Sequence, residues 1–280
     1  MLPIHLIIVR NVTISFFTGT DKTYFLIYFK LFFMKNILEK HMKCASIVTL
    51  FLSFMLSGCD KSEPAIPLDI SNDSGCFFNG SVSTLGQTTK YSGNSLLDQI
   101  NTEEYYFLVQ KFGVVPEIFY LVDGDNPNAY ATSRVSNPQF PDGTVFVGLS
   151  LIQSECFNSP SKTCSAVPII MAHEFAHIID FKYQTPLKGK HKELFADYLA
   201  GSYMYFRSVE FKATFVEEAA LSFFRKGDFQ FNSAMHHGTP EQRYECLRAG
   251  YNLAHQFSMQ GKFLDLQTVI QNGIIMVTKY

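Results

Sequence analysis

The chain contains no tryptophan, no pair of cysteines at C-x-x-C spacing, no phosphate-binding or dinucleotide fingerprint, and no internal repeat. Without C-x-x-C spacing, none of the 6 cysteines is expected to hold a metal. Without the glycine fingerprints, nucleotide chemistry has no cradle. Neither sign of charge is in excess: 23 Lys and Arg face 25 Asp and Glu, a formal net charge of −2, so no nucleic-acid partner is expected. The lack of tryptophan does not starve a core, because 28 phenylalanines supply the apolar bulk for one domain behind a leader. Long apolar runs are missing too. In residues 1–41, Arg10, Asp21, Lys22 and Lys30 break every stretch short of the roughly eighteen uncharged positions that a spanning helix needs.

What is present centres on Met171-Ala172-His173-Glu174-Phe175-Ala176-His177, an H-E-x-x-H match. On a helix, residues four apart share a face, so His173 and His177 can turn both imidazoles to one metal ion. Glu174 is rotated about 100° from His173, where its carboxylate can reach an activated water without taking a coordination position. A helix is expected here, with Ser165 as N-cap and Pro168 in its first turn. Ile169, Ile170, Ala172, Ala176, Ile178 and Ile179 give it a wide apolar surface, which predicts burial.

A catalytic zinc site needs a third protein ligand. Downstream, Glu193 and Asp197 share a helical face with Ala200 and Gly201. Those small residues would let a second helix approach the first closely at Ala172 and Ala176. Glu193 is then the third ligand, and Asp197 can accept the second N–H of a ligand histidine and fix its tautomer. The plainer readings are two core histidines and a solvated charged helix. Leu194, Phe195 and Leu199 around the acids are poor company for the latter. His191 lies two residues before Glu193, on a different face, and reads as a surface histidine.

H-E-x-x-H followed by E-x-x-x-D on the next helix is the gluzincin arrangement. The run E-x-x-A-D-x-x-A-G from Glu193, then His237-Gly238-Thr239-Pro240-Glu241-Gln242-Arg243, resembles the bacterial neutral zinc metallopeptidase family. That family is similar in turn to the CAAX-processing type of membrane metallopeptidase. The resemblance covers residues 115 to 255 or so; Tyr198 stands where the family often has Cys, which touches packing or a disulfide and not a ligand. It implies an α+β fold with a zincin-like (gluzincin) core of helices, one zinc ion per chain, and a protein or peptide substrate. In the related membrane peptidases, a His just before a helix and an Arg six residues later stabilise the oxyanion. Here these are His237 and Arg243, with His236 as a substitute for His237; the alternative is a loop His and a surface Arg. Asn128-Ala129-Tyr130-Ala131 resembles their N-A-x-A segment, whose Asn contacts substrate backbone, although a turn-to-strand Asn reads equally well.

The rest of the chain frames this site. Residues 1–41 read as a mis-set start. From Met34 or Met42, Lys35, Lys40 and Lys43 precede an apolar run from Cys44 to Leu56, as in a secretory signal, and Leu56-Ser57-Gly58-Cys59 resembles a bacterial lipobox. Residues 42–59 are thus expected to be a lipoprotein signal ending at a lipidated Cys59. Asp60 resembles an inner-membrane retention signal. Residues 60–93, rich in Ser, Gly, Asn and Thr, read as a flexible tether, and 94–280 as the metallopeptidase domain.

Within that domain a helix is expected over Ser95 to Phe112, stopped by Gly113. Strands follow at 117–122, 128–133 and 144–149, as a small antiparallel sheet whose edge would pair with an extended peptide. Cys156 and Cys164 flank a turn-rich loop and should be bridged in an exported protein, while Cys76 and Cys246 stay unassigned. Phe211 to Phe224 has core spacing. A capping box at Thr239 with Pro240 opens a helix to about Gln260, and a last helix over 263–271 stops at Gly273. The expected function is a zinc-dependent endopeptidase of the bacterial cell envelope, facing the periplasm, with Glu174 as general base. The alternative is a zinc-binding lipoprotein that binds envelope proteins without cutting them.

Overall fold

The computed structural model describes residues 87–125, 127–158, 164–211, 220–222, 225 and 237–280, and the backbone of three short strands before them. The chain divides into two units, Met1–Glu63 and Pro64–Tyr280. The described part of the first is an antiparallel hairpin of β1 (Leu6–Val9) and β2 (Val12–Ser15). The signal and lipobox expected at 42–59 lie outside the described residues.

In the second unit, α1 runs Ser95–Phe112. The Asn94 side chain accepts from the amides of Leu96 and Leu97, and Gly113 ends the helix at φ 62°, the left-handed region that a Cβ disfavours. Glu104, Phe107, Leu108 and Phe112 form its buried stripe.

The sheet departs from expectation. Its strands are β3 (Gly75–Phe77), β4 (Thr88–Thr89), β5 (Glu117–Leu121), β6 (Ala129–Thr132) and β7 (Thr144–Gly148). They lie in the order β3-β6-β7-β5-β4, and β5 pairs with β7 in parallel. The sheet is therefore mixed, not antiparallel. Strand patterning identifies strands but not neighbours: the segment from residue 133 to 143 lets the chain place β7 between β5 and β6. Two of the strands, β3 and β4, fall inside the stretch read as a tether, where short strands of Gly, Cys and Thr left no apolar alternation to detect.

Helix α2 (Leu149–Asn158) follows β7 directly and was not foreseen. Its first amides are capped by Asp123, whose carboxylate accepts from Ser150 at 2.7 Å across a separation of 27 residues. A cap so remote leaves no local signature. Cys156 and Cys164 are bonded to each other, and Cys246 is a buried free thiol.

Helix α3 (Ala166–Tyr183) is buried on every side from Ala166 to Asp180. It contacts β6 and β7 of the sheet as well as α1, α2 and α4. Ser165 stands at the N-cap position as expected, but with helical dihedrals and no side-chain cap bond. Helix α4 spans Lys190–Glu210, joined to α3 by an ion pair of Lys192 with Asp180 at 2.7 Å.

Helix α5 (Pro240–Met259) starts with the expected capping box between Thr239 and Gln242. It crosses α4 at glycines: a Cβ on Gly201 would overlap the carbonyl oxygen of Leu247, and one on Gly250 the carbonyl oxygen of Tyr198. The close approach that Gly201 permits is thus to α5, not to α3. Helix α6 runs Leu266–Val277, past the expected stop. Gly273 lies inside it, because a Cβ there would come within 3.0 Å of the Phe195 ring. The stretch with core spacing over 211–224 lies largely outside the described residues. Among the described residues, no helix is long and apolar enough to cross a membrane.

Candidate metal centre

Helix α3 supplies His173, Glu174 and His177, and α4 supplies Glu193 and Asp197. His173 with His177, and Glu193 with Asp197, obey the four-residue period, so each helix presents one row of polar groups to the other. One ligand atom from each of His173, His177 and Glu193 lies within 4.8 Å of the others. The two Nε2 atoms are 3.1 Å apart, and the Glu193 oxygens lie 3.4 and 3.6 Å from them. Two imidazole nitrogens and a carboxylate oxygen converging at that spacing are a donor set suited to a divalent metal ion.

Behind His173, its Nδ1 lies 2.8 Å from Asp197 Oδ1. An ionised carboxylate only accepts, so Nδ1 carries the proton and Nε2 faces the metal position. Asp197 in turn accepts from Arg243 of α5, at 2.7 Å from Nε and 2.8 Å from Nη2. His173, Glu174, Asp197 and Arg243 are all fully buried.

The electrostatics follow from this burial. Burial alone would lower the His173 pKa, but its bonds to Asp197 and Glu193 override that and raise it to about 9. His177 goes the other way, to about 3, through burial and the neighbouring His173 against the pull of Glu193. Glu193 is held well below the ordinary carboxylate value: burial opposes this, and the two histidines prevail. Asp197 is likewise lowered, with Arg243 overcoming burial. Glu174 is pushed up to about 8, chiefly by burial. Neither of its oxygens has a hydrogen-bond partner among the described residues.

The other expected site residues divide. His237 is buried just ahead of α5, where its charge would lower Glu193. Arg243 is inward as expected, but two of its donors go to Asp197, a pairing not foreseen although Arg243, Leu247 and Gly250 share one face. Asn128 is placed at the start of β6. It is 1 % exposed, and its Oδ1 accepts from the amide of Ala129 at 2.9 Å. Strand β6 is also no edge, being flanked by β3 and β7. His191 sits half-buried in the first turn of α4 and is not in the ligand group. Cys59 and His236 lie outside the described residues.

No family model matches the chain, and no solved structure matches it. The family resemblance rests on the quoted motifs alone.

Proposed function

We propose that this chain is a zinc-dependent endopeptidase of the bacterial cell envelope, with a zincin-like helical core. The observation that carries the reading is Glu174, a fully buried carboxylate without hydrogen-bond partners, one residue along the helix from a ligand of the His173–His177–Glu193 group. A buried unpartnered carboxylate costs stability, so its retention asks for a role. The role that fits is a base next to the metal position.

When bound by His173, His177 and Glu193, zinc would supply a Lewis acid and a water that ionises near neutral pH. Glu174 would take a proton from the attacking water and deliver it to the leaving amine. Asp197 would keep His173 oriented, and His237 would donate toward the oxyanion. The substrate is then a protein or peptide. The chain is tethered through lipid on Cys59 and faces the periplasm, at the inner membrane if Asp60 acts as a retention signal.

One observation favours the reading without catalysis: none of the ligand residues is more than 4 % exposed, as suits a closed metal-holding site. Metal analysis and casein proteolysis on the purified protein, beside Glu174→Gln, separate the two. The endopeptidase reading expects about one zinc per chain in both proteins and turnover only in the wild type. Zinc without turnover in the wild type leaves the binding protein; proteolysis undiminished in Glu174→Gln removes the assigned base.

A further inference from the structure

The geometry points to Arg243 as a positioning residue that acts from α5 through Asp197 to fix the His173 imidazole, and not as a donor to the substrate. The inference rests on the metal-site reading above and deepens it.

The guanidinium donates through Nε to Asp197 Oδ2 at 2.7 Å and through Nη2 to Oδ1 at 2.8 Å. Two parallel bonds from a rigid fork leave the carboxylate one orientation, which a single ammonium cannot impose. The oxygen that takes Nη2 also faces His173 Nδ1 at 2.8 Å. A rotation of Asp197 would therefore turn the imidazole that must hold its Nε2 at the metal position. All three side chains are fully buried, so no bulk water can substitute for either bond.

The backbone is built to bring this cation in. Glu193, Asp197 and Gly201 are spaced four apart on α4, and Arg243, Leu247 and Gly250 lie along one face of α5. These faces meet where each glycine receives a carbonyl of the other helix. At the start of α5, Gly238 (φ 90°) lies where a Cβ would reach within 2.8 Å of Leu194 and 3.6 Å of the Arg243 Cγ. Stability alone does not account for the pair, because buried ion pairs exchanged for packed apolar groups are often neutral or stabilising. Orientation of a ligand does account for it, and outer partners of metal-bound histidines influence affinity about 10–100-fold.

The test uses the full chain as wild type, Arg243→Met and Arg243→Lys, with circular dichroism as the check on folding. In metal-free protein, imidazole ¹H–¹⁵N spectra should show a low-field, hydrogen-bonded Nδ1–H of His173 in the wild type that is lost in Arg243→Met. Zinc affinity, read by chelator competition, should then fall about 100-fold in Arg243→Met and about 10-fold in Arg243→Lys. An unchanged Nδ1–H signal in folded Arg243→Met overturns the inference. Should Arg243→Met fail to fold, Arg243→Lys decides: wild-type zinc affinity there overturns it, and the weakened affinity supports it. If the wild type itself takes up no zinc, the proposed function falls, while the metal-free spectra of the variants still decide the role of Arg243.

Discussion

Alanine at Gly201 and Gly250 measures how the α4/α5 seam is made. Both glycines lie inside helices and neither has a positive φ, so the backbone itself does not require glycine there. In an open helix, Gly→Ala gains roughly 0.5–1 kcal/mol from restricted unfolded-state freedom. Here the new Cβ meets the carbonyl oxygen of Leu247 in one case and of Tyr198 in the other. Main-chain atoms cannot step aside alone, so the helices must part, and overpacking of this kind costs about 1–3 kcal/mol. The steric cost exceeds the propensity gain, and each single variant should lose about 1–2 kcal/mol net. One separation of the same two helices relieves both overlaps. The double variant should then lose less than the two singles together, by at least about 0.5 kcal/mol. Urea denaturation of the four proteins in chelator gives the cycle. A single alanine that stabilises, or losses that simply add, would refute the argument that backbone contact sets the seam.

Other expectations follow from the same site. Burial raises the Glu174 pKa from 4.5 to about 8, so the folded state holds this proton more tightly than the unfolded chain and ionisation opposes folding. The penalty is nil below the ordinary value, grows as pH rises to about 8 and is constant above. In chelator, Glu174→Gln should therefore gain on the wild type by about 4 kcal/mol between pH 5 and pH 8, and a pH-independent difference would contradict this. His237→Ala should lower kcat/KM by the equivalent of about 3 kcal/mol with zinc content unchanged; activity near wild type removes His237 from the oxyanion role. Cys59→Ser should move the protein from the membrane to the soluble fraction. Mass spectrometry that finds an unlipidated mature N-terminus at another residue rules out the lipid anchor.

The parts of this molecule that sequence exposed are those whose causes are local. The α1 start at Ser95 and stop at Gly113, and the Thr239–Gln242 box, are each settled within three or four residues. So is the turning of His173 and His177 to one side of α3. What stayed hidden was long-range. The Asp123 cap on α2 acts across 27 residues, and the Arg243–Asp197 bonds across 46. Strand order, likewise, is not written in the alternation that marks each strand.

The same distinction explains why the candidate site was more legible than the fold around it. A metal group needs its donors at fixed helical spacing, and spacing survives in sequence, whereas a buried network is closed by whichever residue the fold brings near. Arg243 closes this one, binding both oxygens of Asp197 behind His173, and Glu193 spans the two imidazoles. Among the described residues, Glu174 is the residue with both carboxylate oxygens buried and unpartnered. Its neighbours could have satisfied it: Arg243 and His173 are close enough to lower its pKa, and still burial prevails. A core that pairs Arg243 with Asp197 and leaves Glu174 without a hydrogen-bond partner is the arrangement that the proposed base would need. On the proposed function, the pairing of Arg243 with Asp197 and the isolation of Glu174 serve one requirement, a fixed ligand and an uncommitted base.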